Sequence, residues 1–166
     1  PKGIGTEVNN IRDESINKYS FDARMDFRFK KDLEFILSTG LNDYSGVDMT
    51  PIGAMQNRHW KYYYAQARLT WKKLFAQIYM NGNNAGDTYY VPTGGMYIDK
   101  SKCYGMQIQH SSEIGKKLNL IYGLDAFRYQ PNTDYTLHGR NEDKDNITEV
   151  GTYIQATYDL HPRVEI

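Results

Sequence analysis

The chain has 166 residues, in which 20 Lys and Arg are balanced by 20 Asp and Glu, and 40% of the residues are hydrophobic. The lack of a basic surplus argues against nucleic acid as a partner. No apolar stretch approaches the roughly 20 residues of a membrane-spanning helix, although strands can cross a membrane on alternating apolar residues. Fifteen Tyr and two Trp favour a surface with one apolar and one wet side, such as a membrane boundary, a sugar site or a protein interface.

The first predicted strand is SFDARMDFRF, which covers 20–29. Its apolar residues occupy every second position, and charged residues fill the positions between them: Asp22, Arg24, Asp26 and Arg28. Because side chains alternate across a strand, one face is apolar and the other is charged. We predict that lipid covers the apolar face and that water covers the charged face.

Similar alternation predicts six further strands and the start of another. These segments are 33–42, 58–71, 74–83, 102–110, 118–129 and 149–160, and a last strand begins at 164. Most of them are close to the roughly 9–11 residues that cross a bilayer at a tilt. The chain is therefore predicted to be an antiparallel up-and-down β-meander, with a strand starting where these residues end.

The predicted connections alternate in length. Short polar turns occur at 30–32, 72–73 and 111–117, whereas 43–57, 84–101 and 130–148 are rich in Gly, Asp, Asn and Pro and are predicted to be irregular. Short turns at one end and long loops at the other are typical of bacterial outer-membrane barrels. Trp71 beside a short turn and Trp60 toward the other end of the same strand are expected to mark the two membrane boundaries.

Two segments, 59–95 and 120–160, carry a recognisable order of motifs. A strand with Tyr-Gly-x-Asp is followed by a polar loop containing HGRNED and then by E-x-G-x-Y-x-Q. The positions are Tyr122, Gly123, Asp125, His138 to Asp143, Glu149, Gly151, Tyr153 and Gln155. This order resembles the mid-barrel region of TonB-dependent outer-membrane receptors.

The resemblance implies a large plugged barrel in the bacterial outer membrane that imports a scarce nutrient, such as an iron chelate, a vitamin or a glycan. Residues 1–19 would be an extracellular loop, and 20–166 would be part of the barrel, with short periplasmic turns and long extracellular loops. The partners implied are outer-membrane lipid, the N-terminal plug domain and the TonB complex, the last two contacted through parts outside these residues. The resemblance implies no cofactor.

Two sets of side chains are candidates for contact with a substrate. Aromatic and basic loop residues could stack on a sugar or a catecholate, or instead pack their own loops against the rim: Tyr89, Tyr90, Tyr97, Tyr135 and Arg140. Polar residues predicted to face the lumen could contact substrate or plug, or instead fix strand register across the sheet: Arg24, Arg28, Arg68, Gln107, Gln109 and Gln155.

Metal binding and catalysis are weakly indicated. Asp143, Asp145 and Glu149 offer oxygen atoms at short spacing, but they lack the glycine and the frame of a calcium loop. His110 precedes Ser111 and Ser112, yet adjacency in sequence does not make a catalytic triad. We expect neither a metal site nor an enzyme.

Two alternatives remain open at this point. A small complete outer-membrane barrel with a structural or adhesion role would show the same alternation. A soluble β-sandwich that binds carbohydrate would also alternate, and it would bury apolar residues of the first strands against a second sheet: Phe21, Met25, Phe27, Leu33, Phe35 and Leu69.

Overall fold

The computed structural model describes residues 12–161 and 164–165 and consists almost entirely of β-strands. The strands are β1 (Asn17–Lys30), β2 (Leu33–Thr50), β3 (Gly53–Trp71), β4 (Leu74–Asn84), β5 (Tyr89–Tyr90), β6 (Lys102–Ile114), β7 (Leu118–Gln130), β8 (Ile147–His161) and β9 (Val164–Glu165). One 3-10 helix, Gly139–Lys144, lies between β7 and β8. Within the described residues, no helix combines the length and the apolar character needed to span a membrane.

The long strands form one antiparallel sheet in the order β1-β2-β3-β4-β6-β7-β8-β9, while β5 adds a short pairing on β3. Each strand therefore lies beside the next long strand in the chain, and the predicted all-β, up-and-down arrangement is confirmed. β1 and β9 lie at opposite edges, so the sheet is open.

The two ends of the strands differ. At one end, which we name the turn end, the connections are only 31–32, 72–73 and 115–117. At the other, the loop end, 85–101 and 131–146 join β4 to β6 and β7 to β8.

The prediction of an irregular loop over 43–57 is wrong. β2 and β3 run through this segment and pair from Gly46 opposite Asn57 to Thr50 opposite Gly53, so that only Pro51 and Ile52 form the turn. A bulge interrupts the register before Gly46, and His59 on the facing strand has a φ of 54°. The Gly and Pro residues thus mark a bulged hairpin arm rather than a loop.

The start of the sheet also differs from the prediction. β1 begins at Asn17, so 17–19 are part of a strand and not of the loop predicted over 1–19. Residues 1–11 of that predicted loop lie outside the described residues.

Strand register places the apolar residues of all seven long strands on one side of the sheet, which we name the apolar face. One row across it contains Met25, Leu37, Ala67, Ile78, Met106, Ala126 and Val150. The next row contains Phe27, Phe35, Leu69, Ala76, Ile108, Leu124 and Thr152. The alternate positions form the polar face.

The apolar face is uncovered. Met25 and Ile78 are each 58% exposed and Val150 is 67% exposed. The accessible surface of 11982 Å² greatly exceeds the roughly 8,500 Å² expected for a compact protein of this mass. Among the described residues only Ile36 and Ala85 are buried hydrophobic residues, so the sheet has no apolar core of its own.

The buried polar residues lie instead at the loop end. They are Gln56, Asn57, Thr88, Ser101, Thr133 and Glu142, and they belong to the arm 45–59 and to the connections 85–101 and 131–146. We name these three segments together the loop cap.

Four glycines lie directly opposite tyrosines on neighbouring strands. The pairs are Gly40 with Tyr64, Gly82 with Tyr63, Gly105 with Tyr79 and Gly123 with Tyr153. In each pair the tyrosine ring lies over the glycine, so that a Cβ at the glycine would overlap the ring. Such packing joins neighbouring strands through cross-strand contact.

We predict that Gly105→Ala lowers the free energy of unfolding by about 1–3 kcal/mol, because the new Cβ displaces the ring of Tyr79. Denaturant unfolding in the medium in which the chain folds measures this loss. Gly151→Ala on β8 is the matched control, since a Cβ there meets nothing within 4 Å. Equal losses in the two variants would contradict the proposed role of the tyrosine–glycine pairs.

Candidate functional site at the loop end

Glu142 accepts the hydrogen bonds that join the residues farthest apart in sequence within 131–146. Its side chain is buried, and its carboxylate accepts hydrogen bonds from the backbone N–H of Thr133 at 2.7 Å, from the Thr133 hydroxyl, and from the backbone N–H of Tyr135 at 3.0 Å. Three donors therefore converge on one carboxylate. This closes the connection into a compact loop in front of the 3-10 helix.

The environment of Glu142 keeps it ionised. Burial tends to raise the pKa of the carboxyl, but the hydrogen bonds from Thr133 and Tyr135 outweigh burial, so the pKa lies below its ordinary value. His138 adds a smaller lowering effect and places its own Nδ1 3.0 Å from Asp145. The loop is thus held by an anion at neutral pH.

The two long connections at the loop end are hydrogen-bonded to each other. The Lys100 N–H donates to the Asn132 carbonyl at 2.7 Å, and the Asn132 N–H donates to the Ser101 hydroxyl at 3.1 Å. The Thr136 hydroxyl also donates to the Ile98 carbonyl. These bonds make the two connections one continuous surface.

An aromatic cluster joins the arm to 85–101. The rings of Trp60 and Tyr97 lie 5.3 Å apart, and those of Tyr90 and Tyr97 lie 5.9 Å apart. The guanidinium of Arg58 lies 5.4 Å from the centroid of Tyr89. Burial, followed by the charge of Asp99, raises the pKa of Tyr97, consistent with a hydroxyl partly withdrawn from water.

The predicted substrate residues fall into two groups. Tyr89, Tyr90 and Tyr97 are half-buried in the aromatic cluster and pack 85–101 against β3. Tyr135 is 50% exposed and donates its hydroxyl to Asp143 at 3.1 Å, and Arg140 is exposed on the 3-10 helix. Contact with a ligand stays a prediction for all five residues.

The position of Trp60 differs from the expectation. It stacks on Tyr97 inside the loop cap and does not lie on the apolar face as a boundary marker. The reason is strand alternation, which places Trp60 on the polar face with Tyr62 and Tyr64, where it contacts Tyr97 of 85–101.

A polar cavity of about 470 Å³ lies between the bases of the two connections. Its cations are Lys100 and Lys102, its rings are Tyr104 and Tyr135, and its amides are Gln130, Asn132 and Asn146. Pro131, Asp134, Glu142 and Asp143 complete the lining. Rings that stack, together with paired donors and acceptors, suit a polyhydroxylated ligand.

Of the five loop residues predicted from the sequence to contact substrate, only Tyr135 lines this cavity, and the lysines and the amides were not predicted. Lys100 lies just before β6 and Lys102 lies at its start, and Asn132 lies just after the end of β7. Their shared position at the same end of neighbouring strands is the sequence signal that they lie close together. The hydrogen bonds that join the two connections could not be inferred from that spacing.

The polar residues predicted to face the lumen all lie on the polar face, and several have side-chain partners. Arg24 pairs with Asp26 at 2.7 Å and Arg28 pairs with Glu34 at 2.9 Å. Two further pairs link strands: Arg68 donates to Gln77 at 3.3 Å, and the Tyr153 hydroxyl donates to Gln109 at 2.9 Å. Gln107 lies opposite Gln77, and Gln155 is exposed on β8.

The oxygen set considered for calcium is not brought together. Asp143 accepts from Tyr135, Asp145 lies beside His138, and Glu149 is on β8. In the described part of the chain there is no group of three or more His, Cys, Asp or Glu that could hold a metal ion.

His110 and Ser112 lie on the same face near the turn end. The Ser112 hydroxyl is 3.3 Å and the Tyr122 hydroxyl is 3.0 Å from the same ring atom, His110 Nδ1. A nucleophile and its orienting partner would have to engage different ring nitrogens. These three residues do not form a catalytic triad, and the absence of catalysis stays a prediction.

Comparison with known proteins adds no relative. No family model, no curated protein and no solved structure matches this chain. Its function has to be inferred from the chemistry of the sheet and the loop cap.

We predict that Glu142→Gln loosens 131–146, because an amide has one acceptor oxygen where the carboxylate has two. Amide hydrogen exchange at Thr133 and Tyr135 should accelerate by roughly tenfold or more. The same exchange should appear in the unmodified chain as pH falls through the lowered pKa of Glu142, and should be absent above its ordinary value. Glu149→Gln is the control, and equal acceleration in both variants would contradict the role given to Glu142.

Proposed function

We propose that this chain is part of the wall of a TonB-dependent receptor barrel in the bacterial outer membrane. The barrel imports a scarce nutrient, and the loop cap captures it on the outside. The observation that carries this proposal is a single open sheet that exposes one apolar and one polar face. Its long connections lie at one end only, as is typical of outer-membrane barrels.

The distribution of aromatic residues on the apolar face supports a lipid environment. Tyr19 and Tyr63 lie toward the loop end, and Trp71, Tyr122 and Tyr158 lie toward the turn end. The strand segment from Tyr63 to Trp71 has nine residues. A tilted strand crosses the hydrocarbon core of a bilayer with roughly 9–11 residues.

The polar face supports a wet lumen. Four of its charges form ion pairs within or between strands, namely Arg24 with Asp26 and Arg28 with Glu34. Exposed pairs of this kind are compatible with water, whereas a face buried in a second protein layer would have to desolvate them.

The alternatives receive less support. A soluble sandwich requires a second sheet over the apolar face, but Phe21 is 63% and Met25 58% exposed, and the described residues supply only one layer. A small complete barrel requires its edge strands to pair, whereas β1 and β9 lie at opposite edges.

The loop cap supports substrate capture rather than a purely structural end. Its connections are fixed by Glu142 and by the bonds between 85–101 and 131–146. The exposed ring of Tyr135 and the ammonium groups of Lys100 and Lys102 border its polar cavity. This chemistry fits a glycan or another polar nutrient with several oxygen atoms.

We predict that Ile78→Arg impairs folding into a bilayer by roughly 2–4 kcal/mol, because Ile78 lies midway across the apolar face. Gln107→Arg, on the polar face opposite Gln77 and Asp125, should fold nearly as well as the unmodified chain. Folding into vesicles, measured by protease protection, gives the comparison. Equal behaviour of the two variants would contradict lipid contact on one face only.

We predict that replacing 132–145 with a short Gly-Ser segment abolishes nutrient uptake and leaves membrane assembly intact, because this segment forms one wall of the polar cavity. Growth on limiting iron, cobalamin and glycan sources measures uptake, and outer-membrane fractionation measures assembly. A matched replacement of 48–53 at the tip of the arm is the control. Full uptake without 132–145 would exclude this connection from substrate capture.

A further inference from the structure

At the turn end, each connection that the structure describes carries or borders two adjacent lysines, all of them exposed. The pairs are Lys30 with Lys31, Lys72 with Lys73, and Lys116 with Lys117. The Lys72 N–H donates to the Asp32 carbonyl at 2.8 Å, which links the first two turns, and these hairpins are about 10 Å apart. The Ser111 N–H on β6 donates to the Lys73 carbonyl at 3.0 Å, and β6 continues to Ile114 before its own turn. We name these six residues the lysine row.

The charges of the lysine row are largely uncompensated. Lys73 lies 3.0 Å from Glu113, and an exposed pair of this kind is weak. In the described residues no other member of the row has a carboxylate within ion-pair distance, and Glu34 is already paired with Arg28. With respect to the described residues, the row therefore presents mostly unpaired ammonium groups along the turn end of the sheet.

The apolar face changes in composition just before the lysine row. Trp71 is 51% exposed, and the Lys72 ammonium lies 6.0 Å from its ring centroid. On the neighbouring strands the Tyr122 hydroxyl contacts His110 at 3.0 Å. On β6 and β7 the His110 and Tyr122 pair is followed by Leu120, Leu118 and Ile114 before Lys116 and Lys117. On β3, moving outward, aliphatic residues give way to Trp71 and then to Lys72 and Lys73. Hydrocarbon, glycerol region and phosphate follow one another in the same order in a lipid leaflet.

We infer that the lysine row binds the phosphates of anionic phospholipid headgroups in the leaflet at the turn end. This inference rests on the proposed function, because it needs the apolar face to lie in a bilayer. Free phosphate shares the chemistry of the headgroup, but a lipid holds its phosphate at the depth where Trp71 meets Lys72. The row thereby fixes how far the strands sit in the membrane.

Trp71 provides the test, because Trp60→Phe leaves it as the only tryptophan of the chain. The variant chain is reconstituted into vesicles with increasing fractions of brominated phosphatidylglycerol or brominated phosphatidylcholine, and quenching of Trp71 is recorded. We expect phosphatidylglycerol to quench at a roughly fivefold lower fraction. The preference for phosphatidylglycerol over phosphatidylcholine should decrease as the salt concentration rises from about 0.05 M to about 0.5 M.

Adding Lys72→Gln and Lys73→Gln should remove most of this preference. Lys100→Gln with Lys102→Gln, at the loop end, is the charge-matched control and should preserve it. Equal quenching by the two lipids before any lysine is changed would overturn the inference and leave the barrel proposal standing. No quenching by either lipid would overturn the barrel proposal itself.

Competition with inorganic phosphate shows whether the lysine row binds the phosphate of a lipid headgroup or free phosphate. Added at the same ionic strength as sodium chloride, it should reduce the lipid preference no more than chloride does. A larger reduction would assign the lysine row to free phosphate and overturn the choice of lipid.

Discussion

The structure depends on one constraint, which is that the apolar face of the sheet has no second layer among the described residues. Burial of apolar surface is the main driving force for folding, and a sheet normally satisfies it against helices or another sheet. Here the central rows of the apolar face stay exposed, and only Ile36 and Ala85 are buried hydrophobic residues. The cover must come from outside the described chain, and lipid fits the face because aromatic residues bound it at both ends.

At the loop end, the structure has to satisfy polar backbone groups rather than cover an apolar surface. Long connections must satisfy their backbone groups, and this chain does so with buried polar side chains rather than with an apolar core. Gln56, which is 2% exposed, accepts the Asp13 N–H and donates to the Gly46 carbonyl, and Glu142 serves three donors in 131–146. Because these contacts fix the loop cap, capture of the proposed ligand would cost less ordering entropy.

The sequence allowed the strands and their order to be predicted because period-two alternation is local and is repeated in every strand. The prediction of a loop over 43–57 was wrong, because Pro51 and Gly53 suggested irregular structure although they mark a two-residue turn beyond a bulge. Nothing local distinguishes Glu142 from Asp143 or Asp145 in the same run. Its role depends on Thr133 and Tyr135, which only the folded loop brings to it.

The most direct test of the account is the environment of alternate side chains on β4 in a bilayer. Single spin-labelled cysteines at 75–80, in a Cys103→Ala background, report collisions with oxygen and with a water-soluble nickel chelate. The account predicts that labels at Ala76, Ile78 and Met80 meet oxygen and are shielded from nickel, and that labels at Phe75, Gln77 and Tyr79 meet nickel. Uniform accessibility along the strand, or shielding of Ala76, Ile78 and Met80 from both reagents, would contradict a lipid-covered apolar face.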